Sequence, residues 1–144
     1  MSSDLLWLIT KDTSCFIKKS HGLCLNSEPM NLKNLNSFKY SGLCNKKAVG
    51  ITAGKTGVVL SKKTKAAKIK PAKGVTKSVF NGKNGARRVV KSVHGDVVAN
   101  HYRSDLADVA TRRVMAIMRS QKAKTGGRGG VSRRQAIKNA AKSE

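Results

Sequence analysis

Apolar positions along this chain come in short bursts whose period changes from one stretch to the next. Leu5, Leu6, Trp7, Leu8 and Ile9 follow Ser2-Ser3-Asp4, and serines before an acidic first turn predict a short N-terminal helix. Trp7 is its expected large core residue. From Ser14 to Lys19 the residues suit a strand, Ser20-His21-Gly22 supplies turn chemistry, and Leu23-Cys24-Leu25 can return antiparallel. Glu28-Pro29-Met30-Asn31 breaks regular structure, and the segment through Gly42 reads as an ordered loop. Ala48-Val49-Gly50-Ile51 and Val58-Val59-Leu60 flank a connection rich in Gly and Thr, which predicts a second hairpin of β-branched residues. The two hairpins are expected to form one small antiparallel sheet.

Further along, the period changes to that of helices. Ala86, Val89, Val90, Val93 and Val97 recur at three- and four-residue steps, although Gly95 and the valines are poor helix formers. In the next helix Ser104 is the expected cap, Asp105 and Asp108 fill the first turn, and Leu106, Val109, Ala110, Val114, Ile117 and Met118 share one face. Arg112 and Arg119 then point the other way. The predicted class is α+β: a small antiparallel sheet of hairpins packed with a short N-terminal helix and C-terminal helices, plus basic extensions. Residues 1–124 form the expected domain, with a basic flexible insert at about 62–84 that has too few large apolar residues to bury a core. Residues 125–144 form a basic tail rich in Gly, Arg and Lys, in which Arg134 to Lys142 could become a short helix on contact.

Charge turns this outline towards function. Thirty Lys and Arg stand against seven Asp and Glu, a formal charge of +23. A compact fold carrying that alone repels itself, so a polyanion is the expected partner. Between Glu28 and Asp96 there is no acidic residue, while sixteen Lys or Arg fall in that stretch. A membrane partner would call for a basic amphipathic helix with bulky anchors, or a lipidation motif, and neither is evident. The apolar run from Leu5 to Ile9 is too short for a membrane span and lacks the basic flank of a signal peptide.

Gly50-Ile51-Thr52-Ala53-Gly54-Lys55-Thr56 ends like a phosphate-binding loop, but Val49 stands where the first glycine belongs, and a strand follows where a helix is needed. A nucleotide-binding enzyme built on Gly54-Lys55-Thr56 is therefore a weak rival, though Lys55 could still meet an RNA phosphate. Cys15, His21, Cys24 and Cys44 match no common zinc spacing, and reduced thiols packed in a core are the simpler reading. The scattered acids and three histidines propose no active site, and no cofactor or small-molecule substrate is expected. Phe38 and Tyr40, around Lys39, suit either stacking on unpaired bases or core packing. Phosphate contacts are expected from Lys39, Lys46, Lys47, Lys55, Lys62, Lys63, Lys65, Lys68, Lys70 and Lys73. Further along they are expected from Arg87, Arg88, Arg103, Arg112, Arg113, Arg119 and Lys122.

A family comes into view in the order of several short segments. These are Leu5 and Trp7 with Ser14-Cys15-Phe16-Ile17-Lys18, then Glu28-Pro29 with Asn31-Leu32, and Asn36-Ser37-Phe38 with Tyr40, Gly42 and Leu43. Lys47, Val49 and Gly50 continue the array, and Tyr102-Arg103, Asp105-Leu106 and Arg119-Ser120-Gln121-Lys122 close it. The array resembles the eukaryotic large-subunit ribosomal protein family numbered twenty-eight, over most of residues 2 to 124. Lys62 to Asn84 and the tail after Lys124 share only basic character with it. The resemblance implies a small α+β domain that contacts large-subunit ribosomal RNA and neighbouring large-subunit ribosomal proteins, stabilising folded RNA without catalysis. It also implies a place in the cytoplasmic ribosome, with assembly in the nucleolus. Two rivals stand beside it. Lys62 to Lys77 looks like the tail of a linker histone, which would make this a chromatin protein. A similar domain also occurs in a nucleolar pre-ribosome assembly factor, which is longer and carries an acidic extension that this chain lacks.

Overall fold

A computed structural model describes residues 2–122, apart from the side chains of Lys68 and Asn84. The expected tail helix over Arg134 to Lys142 lies outside the described residues. The chain is α+β, in the order α1 (Ser3–Thr13), β1 (Ile17–Ser20), β2 (Leu23–Asn26), β3 (Val49–Gly54), β4 (Gly57–Lys63), β5 (Val75–Asn81), α2 (Ala86–Val98) and α3 (Ala107–Gln121).

The strands make two antiparallel sheets, where the sequence suggested one: β1 pairs with β2, and β3, β4 and β5 form a separate sheet in that order. The first hairpin, Ile17-Lys18-Lys19-Ser20 and Leu23-Cys24-Leu25-Asn26, buries only Asn26 and half-buries Ile17 and Cys24, and so lays no fully buried apolar face on the core. Its turn residues His21 and Gly22 both take positive φ, 47° and 77°, the combination that matches the strand twist in a two-residue hairpin.

The larger sheet carries the core on one face. Val49 and Ile51 of β3 lie beside Lys62 and Leu60 of β4, and Val58 of β4 lies beside Phe80 of β5. Against them pack Val89, Val93 and Val97 from α2, Ala107, Ala110, Val114 and Met118 from α3, and Leu32 from the long loop. Valine costs roughly 0.6 kcal/mol in a helix relative to alanine. Full burial of its side chain returns roughly 1.5 kcal/mol or more, so packing overrides propensity in α2. Gly95 is exposed and does not interrupt the helix.

Three expectations are corrected here. Trp7 is not in the core: no residue of α1 is buried, and Trp7 instead meets the ring of Phe38 at a centroid distance of 6.0 Å. The segment expected to be a basic insert contains the end of β4, three 3-10 turns (Lys65–Lys68, Pro71–Lys73 and Gly82–Asn84) and all of β5. As an edge strand, β5 needs only Phe80 and its neighbours to face the helices, which is why a sparsely apolar sequence suffices. Ser104 makes no capping hydrogen bond. Ser104–Leu106 is a 3-10 turn, and α3 begins after it at Ala107.

Candidate nucleic-acid interface

The long loop between β2 and β3 is held by amide side chains. Asn31 accepts at Oδ1 from the backbone N–H groups of Lys33 and Asn34 and donates from Nδ2 to the Leu35 carbonyl. Asn36 donates to the Lys11 carbonyl at 2.7 Å, fixing the end of α1, and Asn45 donates to the carbonyls of Phe38 and Ser41. At the centre Glu28, 5% exposed, accepts from Asn26 Nδ2, Ser41 Oγ and the Gly42 N–H. This network gives irregular backbone the partners that a regular sheet would otherwise supply.

Between that loop, α1, the end of β4 and the end of α2 lies a cleft of about 990 Å³. Lys46, Lys47, Lys62, Lys63 and Lys65 line it, with Asp96 as its one acid; Leu6, Leu43, Ala67 and Tyr102 supply apolar wall. The fold thus gathers lysines from two separate stretches of sequence into one concavity. Lys46, Lys47 and Lys65 are exposed, and Lys47 Nζ donates to the His101 carbonyl at 3.2 Å. Lys62 is half-buried, 3.7 Å from Asp96.

Four groups act as internal clamps, and two of them, Lys63 and Tyr102, line the cleft. Lys63 Nζ donates to the carbonyls of Gly42 at 3.0 Å and Asn45 at 3.1 Å, tying β4 to the loop. The Tyr102 hydroxyl lies 2.6 Å from the Lys63 carbonyl and 3.1 Å from that of Ala48, and burial raises its pKa above the ordinary phenol value. Arg103 holds Asp105 through Nε and Nη2 at 2.8 and 3.0 Å, and also donates to the carbonyls of Lys47 and Lys39. Its hydrogen bonds keep the Asp105 carboxyl below the usual aspartate range. Arg113 donates to the carbonyls of Ile51 and Leu32 and to Asn34 Oδ1; burial lowers its pKa. Lys63, Arg103 and Arg113 were expected to meet phosphates, but the structure gives each of them partners within the chain.

Other expected contacts stand outward. Lys55 is at the exposed tip of the β3–β4 hairpin, so the Gly54-Lys55-Thr56 sequence forms a turn between strands; Gln121 steadies it by donating to the carbonyls of Gly54 and Gly57. Lys70 and Lys73 are exposed beside the 3-10 turns, Arg87 and Arg88 in the first turn of α2, and Arg112, Arg119 and Lys122 along or just after α3. Lys39 is exposed with its ammonium 6.0 Å from the Tyr40 ring centroid, and Lys33 lies 5.2 Å from the same centroid. Phe38 and Tyr40 are half-buried, Phe38 against Trp7 and Tyr40 against the core, so packing is the reading with a partner in the structure. The side chain of Lys68 lies outside the described residues.

Sequence reasoning missed Glu28, Tyr102 and Gln121 as organising residues. An acid standing alone before a long acid-free stretch was a usable signal for Glu28; the others depend on contacts that no local pattern encodes. Of the cysteines, Cys44 is buried, Cys24 half-buried and Cys15 exposed, so Cys15 departs from the expected packed thiol. Among the described residues no group of three or more His, Cys, Asp and Glu side chains lies close enough to share a metal ion, and no helix is long and apolar enough to cross a membrane.

Residues 5–120 match the family model of the ribosomal L28e protein family. The chain is similar to the large ribosomal subunit protein eL28 of Schizosaccharomyces pombe, with 39% identity over 129 residues, covering 86% of this chain and 96% of the relative. It is 37% identical over 125 residues to the protein of the same name in Dictyostelium discoideum, covering 85% of this chain and 92% of that one. With the Caenorhabditis elegans protein of that name it shares 38% identity over 123 residues, covering 84% and 91%.

Proposed function

Because the chain belongs to the ribosomal L28e protein family, we propose that it is a structural constituent of the cytosolic large ribosomal subunit, and not an enzyme, that holds ribosomal RNA through lysine and arginine contacts to phosphates. The observation that carries the RNA part is the cleft lined by five lysines and one acid. Charges of one sign gathered in a concave wall focus their field, and a phosphate backbone entering it displaces counterions from the RNA.

The outward cations extend this surface. Arg87 and Arg88 occupy the first turn of α2, which contains no acidic residue, so they oppose the helix dipole. A phosphate at that end would relieve the opposition. Lys63, Arg103 and Arg113 serve differently: they hold β4, the long loop and α3 in the arrangement that aims the other cations. Neighbouring ribosomal proteins are further partners in this reading, and assembly takes place in the nucleolus. The linker-histone comparison weakens on inspection of the fold, since Lys62 and Lys77 are residues of paired strands.

Sucrose-gradient sedimentation of native lysate, with and without EDTA to separate the subunits, tests the proposal. The chain is expected to remain with the large subunit in EDTA. Sedimentation away from ribosomes, in a nuclease-sensitive nuclear fraction, would overturn it.

A further inference from the structure

We propose that the outward face of α1 is a docking surface for a second protein, one that presents aliphatic side chains beside a lysine or arginine; this rests on the chain being a component of a larger particle. The helix is attached to the body along one side only. Leu6 and Ser3 line the lysine cleft, Trp7 meets Phe38, and Thr10 Oγ1 lies 3.2 Å from Cys44 Sγ. At about 100° per residue the opposite side carries Leu5, Leu8, Ile9 and Asp12. Those three apolar residues are 47%, 62% and 55% exposed, a continuous stripe where isolated exposed leucines would need no explanation.

Charge selects the partner. The surface elsewhere is dominated by lysine and arginine, but α1 has exposed acids at Asp4 and Asp12 and only Lys11 as a base. Of the other described acids, Glu28 is buried, Asp96 and Asp105 are paired with Lys62 and Arg103, and Asp108 is exposed in the first turn of α3, where the helix dipole already favours it. Asp12 sits in the last turn of α1, where the helix dipole disfavours a negative charge, and Lys11 approaches it only to 3.9 Å. A cation from a partner would relieve that opposition. RNA phosphates would be repelled by Asp4 and Asp12, and the outward residues of α1 include no aromatic ring to stack on a base. The face therefore fits a basic polypeptide with apolar side chains.

The test places a photo-crosslinking amino acid at Leu8 of the full chain, expressed in cells. Large subunits are purified, irradiated and analysed by mass spectrometry. A crosslink to a Lys- or Arg-containing peptide of another protein is expected. Crosslinks confined to RNA, to residues 123–144 of the same chain or to a second copy, or no crosslink from chains that did enter the subunit, would overturn the inference. Failure of the parent chain, with Leu8 in place, to enter the subunit would instead overturn the proposed function, and this inference with it. In parallel, the double variant Leu8→Glu, Ile9→Glu should keep the thermal unfolding and RNA salt dependence of the parent chain. In competition with the parent chain it should lose incorporation by on the order of tenfold. Equal incorporation would count against a docking role.

Discussion

Arg113 of α3 and Leu32 of the long loop, 81 positions apart in the sequence, are joined by a 2.7 Å hydrogen bond from Nη1 to the Leu32 carbonyl. The same guanidinium reaches the Ile51 carbonyl of β3 at 3.0 Å, so one side chain connects helix, sheet and loop. Arg112, its neighbour, is exposed. Arg113→Ala should lower unfolding free energy by about 2–4 kcal/mol, since charged hydrogen bonds are lost and carbonyls left without a donor. Arg112→Ala should change it by no more than about 0.5 kcal/mol. Urea denaturation of both variants checks this, and equal losses would remove the distinction between clamp and surface arginine.

The Arg103–Asp105 pair predicts a pH dependence. Arg103 holds the folded carboxyl below the value it has in the unfolded chain, so the pair contributes stability above the unfolded value, about 3.9. That contribution is lost as pH falls through the lower folded value. The urea midpoint of Asp105→Asn should therefore lie below that of the parent chain at pH 7 and approach it towards pH 3. A gap that stays constant with pH would show that the carboxyl charge is not what stabilises this corner.

Gly57 and Gly85 both have positive φ, 136° and 81°, but their surroundings differ. A Cβ on Gly57 would collide with the Phe80 carbonyl and the Gly82 nitrogen, whereas one on Gly85 would meet nothing within 4 Å. Gly85→Ala should cost roughly 2 kcal/mol of backbone strain, since its φ of 81° with ψ of 145° lies where residues other than glycine rarely go, and Gly57→Ala roughly 3 kcal/mol or more, because the β4–β5 pairing must shift as well. Thermal unfolding compared across the two variants should give that order, and the reverse order would contradict the sheet geometry.

Salt dependence would separate the lysines proposed to meet RNA from lysines that hold the fold. Replacing Lys46, Lys65, Lys70 and Lys73 with Ala should make the slope of log affinity against log salt shallower by roughly three units, at about 0.7–0.9 per phosphate. Lys63→Met should leave the slope in place and lower stability, because its ammonium is bonded to the carbonyls of Gly42 and Asn45. Filter binding to large-subunit RNA fragments over a salt series measures both. An unchanged slope in the fourfold variant would place those lysines in solvent.

The sequence by itself determined the periodic parts and the excess of positive charge. Val89, Val93 and Val97 at four-residue steps and Val114 with Met118 specify helix faces, and the β-branched residues around Gly54-Lys55-Thr56 specify a hairpin, because burial of one face leaves few alternatives. The excess of lysine and arginine, a formal charge of +23, makes a polyanion the expected partner whatever the fold. Tertiary structure decided the rest. Only packing shows that Trp7 lies beside Phe38 outside the core, and that the lysine-rich stretch ends in edge strand β5. Local sequence cannot distinguish a lysine that faces solvent from one whose ammonium meets three loop carbonyls. For Lys63, Arg103 and Arg113, the donors are common to every lysine and arginine, and their acceptors come from distant segments of the chain. Charge is a property of composition, but whether that charge is available to RNA depends on which carbonyls the fold brings within hydrogen-bonding distance.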